Sequence, residues 1–528
     1  MFRILVTDDI AKSGIEVLEG VPDVQVDVQT NLSETELLEA IAEADALVVR
    51  SQTMVNEAVI AAGKRLKVIG RAGVGVDNID LEAATKQGVL VINAPDGNTI
   101  AAAEHTFAMM ISLARHIPAA NRDLLGGKWN RKRWVGVELR GKTLAVLGMG
   151  RIGTEVAKRA KVFGMQVLGF DPFLTEERAN SLGVVKASID EAVAGADFIT
   201  VHTPLTKETH HLIGRERLSL VKPTVRIVNC ARGGIIDEQA LCEALAEERV
   251  AGAALDVFES EPLLEDHPLR QFENVILTPH LGASTVEAQE NVAIQVAEQV
   301  IHVLMDEPFE HAVNLPSLNA QQKAQLAPYL VLAEKLGLFA AHIAQGAPSE
   351  MTVTYTGDAA GRDGGYLTRT VLKGLFGFQY SDDINYVNAL TFAEEAGLRV
   401  KEVRESRGLV YTNEISISFV TENGTHRVGG TLYHESGPRL VELDGYAIDM
   451  PIEGNLLFTR HVDKPGMIGH IGTCLGNLRI NIAGMQVGRR ESGGEAVMLL
   501  TVDRALSSDV IAEIAKVDGI SMVRAIEL

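Results

Sequence analysis

The feature that most constrains this chain is Gly148-Met-Gly150-Arg151-Ile152-Gly153, set directly after the apolar run Thr143–Leu147. A G-x-G-x-x-G segment alone is weak evidence. Between a strand and a helix it has one physical reading. The first glycine permits a tight turn, the second lets backbone approach a pyrophosphate, and the third lets helix and strand pack closely, while the helix N-terminus favours the negative charge. Asp171 ends the next apolar run, Gln166–Phe170. A carboxylate there accepts hydrogen bonds from ribose hydroxyls and repels a 2′-phosphate, which favours NAD over NADP. The competing assignment is a purely structural glycine turn, which leaves Asp171 without a role.

The pattern around this motif is α/β. Arg3–Thr7, Ala46–Arg50, Leu66–Gly70 and Val89–Ala94 are strand-like, with helical spacing over Ser13–Glu19 and a capping box, Ser33-x-x-Glu36, between them. Residues 99–115 form a long apolar helix. The alternation resumes with a predicted helix Thr154–Phe163, a second capping box at Ser188-x-x-Glu191, and strands Asp197–Val201, Arg226–Asn229, Ala251–Leu255 and Asn274–Leu277. Residues 286–305 return to a long helix, so the second α/β unit is inserted into the first. Residues 317–452 mix helices with loops such as Thr356–Gly365. Residues 455–528 run strand (Leu456–Arg460), helix to about Asn477 with Pro465 at its first position, hairpin (Asn481–Arg489, Ala496–Val502), helix (508–517) and strand (Met522–Ile526), the ferredoxin-like split βαβ order. The expected architecture is two Rossmann-like or flavodoxin-like α/β domains, 1–98 with 285–316 and 99–284, then an α+β domain, 317–452, and a ferredoxin-like domain, 453–528.

Composition excludes some classes. The net charge is −21, which repels phosphate backbones and argues against nucleic acid as a partner. The three cysteines, Cys230, Cys242 and Cys474, suggest neither a disulfide framework nor a metal site. The start of the chain has no signal-peptide pattern, and no charge-free apolar stretch is long enough to cross a membrane, so a cytoplasmic location is expected.

Three polar groups stand just past predicted strand ends in the second unit: Arg232 in NCARGG, Glu261 in DVFESEP and His280 in LTPHLG. Ligands of open α/β sheets bind at that edge. Imidazole suits the removal of an alcohol proton, a carboxylate can fix its tautomer, and a guanidinium can hold a substrate carboxylate. Spacing alone leaves other assignments open: a surface ion pair for Arg232, a helix cap for Glu261, a loop histidine for His280. In the first unit, Arg50-Ser51 and Arg71 with Gly73-Val74-Gly75 suggest an anion site with backbone donors. Lys128, Arg131, Lys132 and Arg133 cluster around Trp129 and Trp134; a solvated basic loop or a subunit contact explains them as well as an anion site does.

VLGMGRIG, HTPLT, NCARGGIIDE, ALDVFESEP and LTPHLGAST, in that order, resemble the D-isomer-specific 2-hydroxy-acid dehydrogenases over about residues 1–316. The resemblance implies the catalytic set Arg232, Glu261 and His280. It also implies NAD contacts from Thr203, Pro204, Cys230, Ala231, Arg232, Asp256 and Gly282, and a homodimer or homotetramer. VVRSQT and GRAGVGVDNID resemble the members that act on a phosphorylated acid, implying phosphate contacts from Arg50 and Arg71, with Arg131 reaching a neighbouring subunit. FTRHVDKPGMIGHIGTCLGNLRINIAGMQVGR resembles an ACT regulatory domain, implying serine as an effector held by Asp463 and Asn481, with His461 nearby, between paired domains. Residues 317–452 resemble an intervening domain that binds substrate allosterically in some members. Within the same resemblance, a glyoxylate or hydroxypyruvate reductase and a non-enzymatic NAD-sensing corepressor are the alternative activities.

Overall fold

The computed structural model of the chain describes residues 1–316, 318, 320–380, 383–406, 410–433 and 437–528. The first sheet has five parallel strands, β1 (Phe2–Val6), β2 (Val24–Val28), β3 (Ala46–Val49), β4 (Val68–Arg71) and β5 (Leu90–Asn93), in the order β2-β1-β3-β4-β5. This is the flavodoxin-like order. The inner strand β3, Ala-Leu-Val-Val, is buried at every position, as a parallel strand covered on both faces must be. Edge strand β2 is half exposed, which hid its Val-Gln-Val-Asp-Val alternation from the strand assignments above.

The second sheet has seven parallel strands: β6 (Thr143–Leu147), β7 (Gln166–Phe170), β8 (Val185–Lys186), β9 (Phe198–Val201), β10 (Arg226–Asn229), β11 (Gly252–Leu255) and β12 (Val275–Leu277). Their order, β12-β11-β10-β9-β6-β7-β8, is the doubly wound nucleotide-binding order with one extra strand. Winding reverses between β6 and β9, so a crevice opens past their carboxyl ends. Both expected capping boxes are present, at Ser33/Glu36 and Ser188/Glu191. Helix Arg151–Val162 begins three residues before the expected Thr154, because Gly150 is its N-cap and Gly153 lies inside it.

Two long helices carry the chain between the sheets. Thr99–Arg115 packs on the second sheet, and Val286–Leu304 returns to pack on β4 and helix Lys12–Glu19. Asn314 then closes on β5: its Oδ1 accepts the Val91 N–H and its amide donates to the Val89 carbonyl.

Residues 320–451 depart furthest from expectation. They hold a six-stranded sheet, β13 (Glu350–Gly357), β14 (Arg399–Glu405), β15 (Asn413–Thr421), β16 (Gly424–Tyr433), β17 (Gly437–Leu443) and β18 (Tyr446–Pro451), in the order β14-β13-β15-β16-β17-β18. Strands such as Arg-Val-Lys-Glu-Val-Arg-Glu bury few side chains, so their apolar signal is weak. Helices Ala320–Ile343 and Gly364–Tyr380 pack together against this sheet. The first of these is long and apolar enough to cross a membrane, but half of its most apolar window is buried inside the structure, where Leu332, Leu336 and Phe339 are core residues.

The last sheet, β19 (Asn455–Val462), β20 (Ile482–Arg489), β21 (Glu495–Val502) and β22 (Ile520–Glu527), is antiparallel in the ferredoxin-like order β20-β21-β19-β22. Helix Met467–Asn477 starts two residues after Pro465. Gly466, at φ +92°, is the N-cap, so proline sits outside the helix rather than at its first position.

Candidate active site

The glycine turn is built as its spacing requires. Gly148 has φ +100°, and a Cβ there would stand 2.6 Å from the His202 carbonyl oxygen; one on Gly153 would stand 2.0 Å from the Gly148 carbonyl oxygen. Around Gly150 nothing lies within 4 Å of a Cβ position, and no side chain caps the helix that starts there. Its first N–H groups are therefore free for an anion. Asp171 receives the Met149 N–H at 2.9 Å, which fixes the carboxylate beside the turn. Across the crevice the Thr203 hydroxyl is buried without a partner. An open cradle, a free helix terminus, a fixed carboxylate and an orphaned hydroxyl fit a dinucleotide. Ile152 packs into the core beneath, Arg151 pairs with Asp96 at 2.5 Å, and Pro204 accepts the Thr209 hydroxyl. Cys230 is buried, and burial, then the Asp256 charge, pushes its thiol up to about 12. It is a packing residue, not a nucleophile.

Of the expected catalytic groups, His280 and Glu261 are paired. His280 Nδ1 lies 2.8 Å from Glu261 Oε2. Burial alone would raise the Glu261 carboxyl, but the bond to His280 and the Phe258 N–H hold it below its ordinary value, so it is ionised and orients the ring. The other ring nitrogen, Nε2, is left to act as base. Arg232 Nε is 3.1 Å from Asp77 Oδ2, which ties it to the first domain across the cleft. Asn229, the buried last residue of β10, holds the Arg232 turn by accepting the Ala231 N–H and donating to the Arg232 carbonyl. A Cβ on Gly233 would lie 1.7 Å from the Phe258 carbonyl oxygen, so this turn and the Glu261 loop sit backbone to backbone.

The opposite wall is cationic. Arg71 is largely buried, its Nε has no partner, and its guanidinium lies over Gly73, where a Cβ would fall 1.5 Å from it; Arg232 similarly covers Gly75. Burial, then the charges of Arg232 and Arg50, pulls the Arg71 guanidinium down to about 10, against the opposing pull of Asp77 and Asp8. Three guanidiniums thus crowd one another with an incomplete set of counter-charges, the signature of an anion site. Buried Asp8 positions Arg50 by accepting its N–H at 2.6 Å, and the Asn78 amide donates to the Arg50 carbonyl. Asn93 holds the Val74 carbonyl at 2.6 Å. Ser51 lies exposed beside Arg50. Asp8, Asn78, Asn93 and Asn229 were not singled out in the sequence. Each is a short polar residue at a strand end or in the turn beyond it, which was the available signal.

Three expectations are not met within one chain. Arg131 is exposed on its loop and is not among the charges acting on Arg71. Asp463 follows β19 near Gly494, whereas Asn481 precedes β20 beside Asp503, at the other end of the sheet. His461 is buried, and burial pulls its ring below its ordinary value against the opposing pull of Asp463, so it faces the core and not an open site. Asp463 itself is near Arg489 and the Gly493 N–H, both at 3.4 Å.

Residues 107–282 match the NAD binding domain of D-isomer specific 2-hydroxyacid dehydrogenases, 325–444 the D-3-phosphoglycerate dehydrogenase intervening domain, and 455–519 the ACT domain. The D-3-phosphoglycerate dehydrogenase of Synechocystis is 48% identical over 98% of this chain and 94% of its own length. That of Bacillus subtilis is 46% identical over the whole of both. A solved D-lactate dehydrogenase from Aquifex aeolicus, complexed with NAD and lactic acid, superposes with a TM-score of 0.53 at 30% identity, over 58% of this chain and 96% of that one. A glyoxylate reductase from Paecilomyes thermophila superposes with 0.54 at 31%, over 59% and 98%. The solved neighbours thus span little more than half of the chain, whereas the curated relatives span nearly all of it, intervening and ACT domains included, and the chain belongs to the D-3-phosphoglycerate dehydrogenase family of D-isomer-specific 2-hydroxyacid dehydrogenases.

Proposed function

We propose that the chain oxidises D-3-phosphoglycerate to 3-phosphohydroxypyruvate with NAD, the entry step to serine. The observation that carries the substrate assignment is the crowding of Arg50 and Arg232 around buried Arg71. A phosphorylated carboxylic acid brings the negative charge that this wall lacks. Arg50 and Arg71 take the phosphate. Arg232 and the Gly73–Gly75 amides take the carboxylate and the C2 oxygen. His280 Nε2 removes the C2 hydroxyl proton, and Glu261 stabilises the imidazolium that results. NAD, held by Gly148–Gly153, Asp171 and Thr203, supplies the hydride acceptor. Cleft closure brings the two walls together and excludes water. An unphosphorylated substrate, as in a glyoxylate or hydroxypyruvate reductase, leaves the arginines uncompensated. A corepressor role needs no ordered Glu261–His280 pair.

The reading extends to serine control at an ACT site shared between two copies, in a homodimer or homotetramer, with the enzyme in the cytoplasm. The test is NADH absorbance during turnover with D-3-phosphoglycerate, D-glycerate or D-lactate, for the wild type and His280→Ala. NADH formed from the phosphorylated acid alone, and abolished in the variant, supports the assignment. A preference for either unphosphorylated acid overturns it.

A further inference from the structure

The backbone at His280 is unusual. Its φ is +54°, a left-handed conformation that a residue with a side chain adopts only when its surroundings hold it there. It persists because one residue sets the backbone on both sides. The Asp256 carbonyl accepts the His280 N–H at 2.8 Å. The Asp256 carboxylate, wholly inaccessible, accepts the Leu281 N–H on Oδ1 and the Gly282 N–H on Oδ2, each at 2.8 Å. Asp256 Oδ1 also accepts the Thr278 hydroxyl at 2.5 Å.

All three of those donors come from the segment that must be held. Among the described residues, the side-chain N–H that meets this carboxylate from outside the segment is that of His105, midway along helix Thr99–Arg115, whose Nε2 is 3.1 Å from Asp256 Oδ1 and 3.2 Å from Thr278 Oγ1. Because Thr278 spends its single hydroxyl proton on Asp256, both atoms facing His105 are acceptors. His105 Nε2 must therefore carry a proton, whatever the charge of the ring. The other titratable groups facing Asp256 are Cys230, a neutral thiol, and Glu261, which repels it. Burial would raise the Asp256 carboxyl, but His105, Thr278 and the Leu281 N–H together hold it below its ordinary value.

We propose that His105 is a positioning residue, whose Nε2–H anchors Asp256, and through it the His280–Gly282 backbone, to the helix that enters the cofactor domain. The proposal rests on His280 being the base. Wild-type turnover in the same assay tests that reading separately.

The experiment compares full-length His105→Ala and His105→Gln. Glutamine keeps an N–H near the lost Nε2, while alanine leaves Asp256 facing Glu261 with its external donor gone. In H105A, kcat falls about tenfold, the KM for the acid substrate stays within about twofold, and the acid limb of the kcat profile moves up by about one pH unit. In H105Q, kcat returns to within about threefold of wild type and the acid limb to its original position. Amide exchange at residues 280–282 quickens in H105A and not in H105Q. Thr278→Val, which removes the other side-chain donor, moves the acid limb in the same direction, and supplies the test should H105A not fold. An unchanged kcat and acid limb in H105A overturns the proposal. So do equal losses in H105A and H105Q with the acid limb unmoved, which is what a purely packing role produces.

Discussion

In the cleft, Arg232 lies far along the chain from Arg50 and Arg71 and past a strand of the other sheet, yet its charge and that of Arg50 both act on Arg71. In the ACT sheet, Asp463 and Asn481 are close in sequence and lie at opposite ends of the same sheet. The topologies explain both. Parallel α/β sheets deliver every strand's carboxyl end to one edge, so remote residues meet there. In the split βαβ unit, helix Met467–Asn477 carries the chain from one end of the sheet back to the other, so residues flanking it are separated by the helix's length. On the function proposed above, one copy furnishes the catalytic cleft almost entirely, whereas an effector site that uses both Asp463 and Asn481 needs a second copy.

The largest expected effect tests the self-contained half. His280→Ala lowers kcat about a thousandfold, and Glu261→Gln about a hundredfold, with substrate KM little changed, because the lost interactions act in proton transfer. Steady-state kinetics with D-3-phosphoglycerate check both. Next, Arg71→Ala raises the KM for D-3-phosphoglycerate about a hundredfold while the KM for NAD stays within about twofold, since a buried charge-assisted contact is worth roughly 1.5–3 kcal/mol. The same residue gives a pH signature. Its guanidinium loses its proton near 10, so the positive charge is complete at neutral pH and declines as pH rises through that value. The KM for the phosphorylated acid then climbs above pH 9 and that for D-glycerate climbs less, as initial rates across pH 7–10.5 will show.

Asp171→Ala narrows the preference for NAD over NADP about tenfold, because the repulsion of a 2′-phosphate is lost; kcat/KM for the two cofactors measures it. The smallest effect sharpens the other half. Asp463→Ala and Asn481→Ala each weaken serine inhibition about tenfold at unchanged basal rate. Chains of the two variants, mixed and re-associated, regain a fraction of serine-sensitive activity, since one of the two shared sites in each mixed pair is then intact. No regain, with both single variants insensitive, means that the two residues do not share a site.

What was legible in the sequence follows the same division. The glycine turn, both capping boxes and the Arg232, Glu261 and His280 loops were readable because turn chemistry and strand ends are local. The residues holding those loops were less so. Asp8 and Asn229 are single polar residues whose partners appear only once strands are ordered. His105 sits in an apolar helix, and nothing local separates an anchor there from a buried core histidine. The six-stranded sheet over 350–451 was missed because its edge strand β14 is polar on most positions and buries none of them, while inner strands β15, β16 and β17 pack against helix Ala320–Ile343. The separation of Asp463 from Asn481 follows from the split βαβ order that the sequence did show, with one residue before and one after the crossing helix.

The most direct test of the three-arginine cleft is the ratio of kcat/KM for D-3-phosphoglycerate to that for D-glycerate, measured by NADH formation in the wild type and in Arg71→Ala. The account predicts a wild-type ratio above about a hundredfold that collapses toward unity in the variant. A wild-type preference for D-glycerate, or a ratio that survives the loss of Arg71, would contradict it.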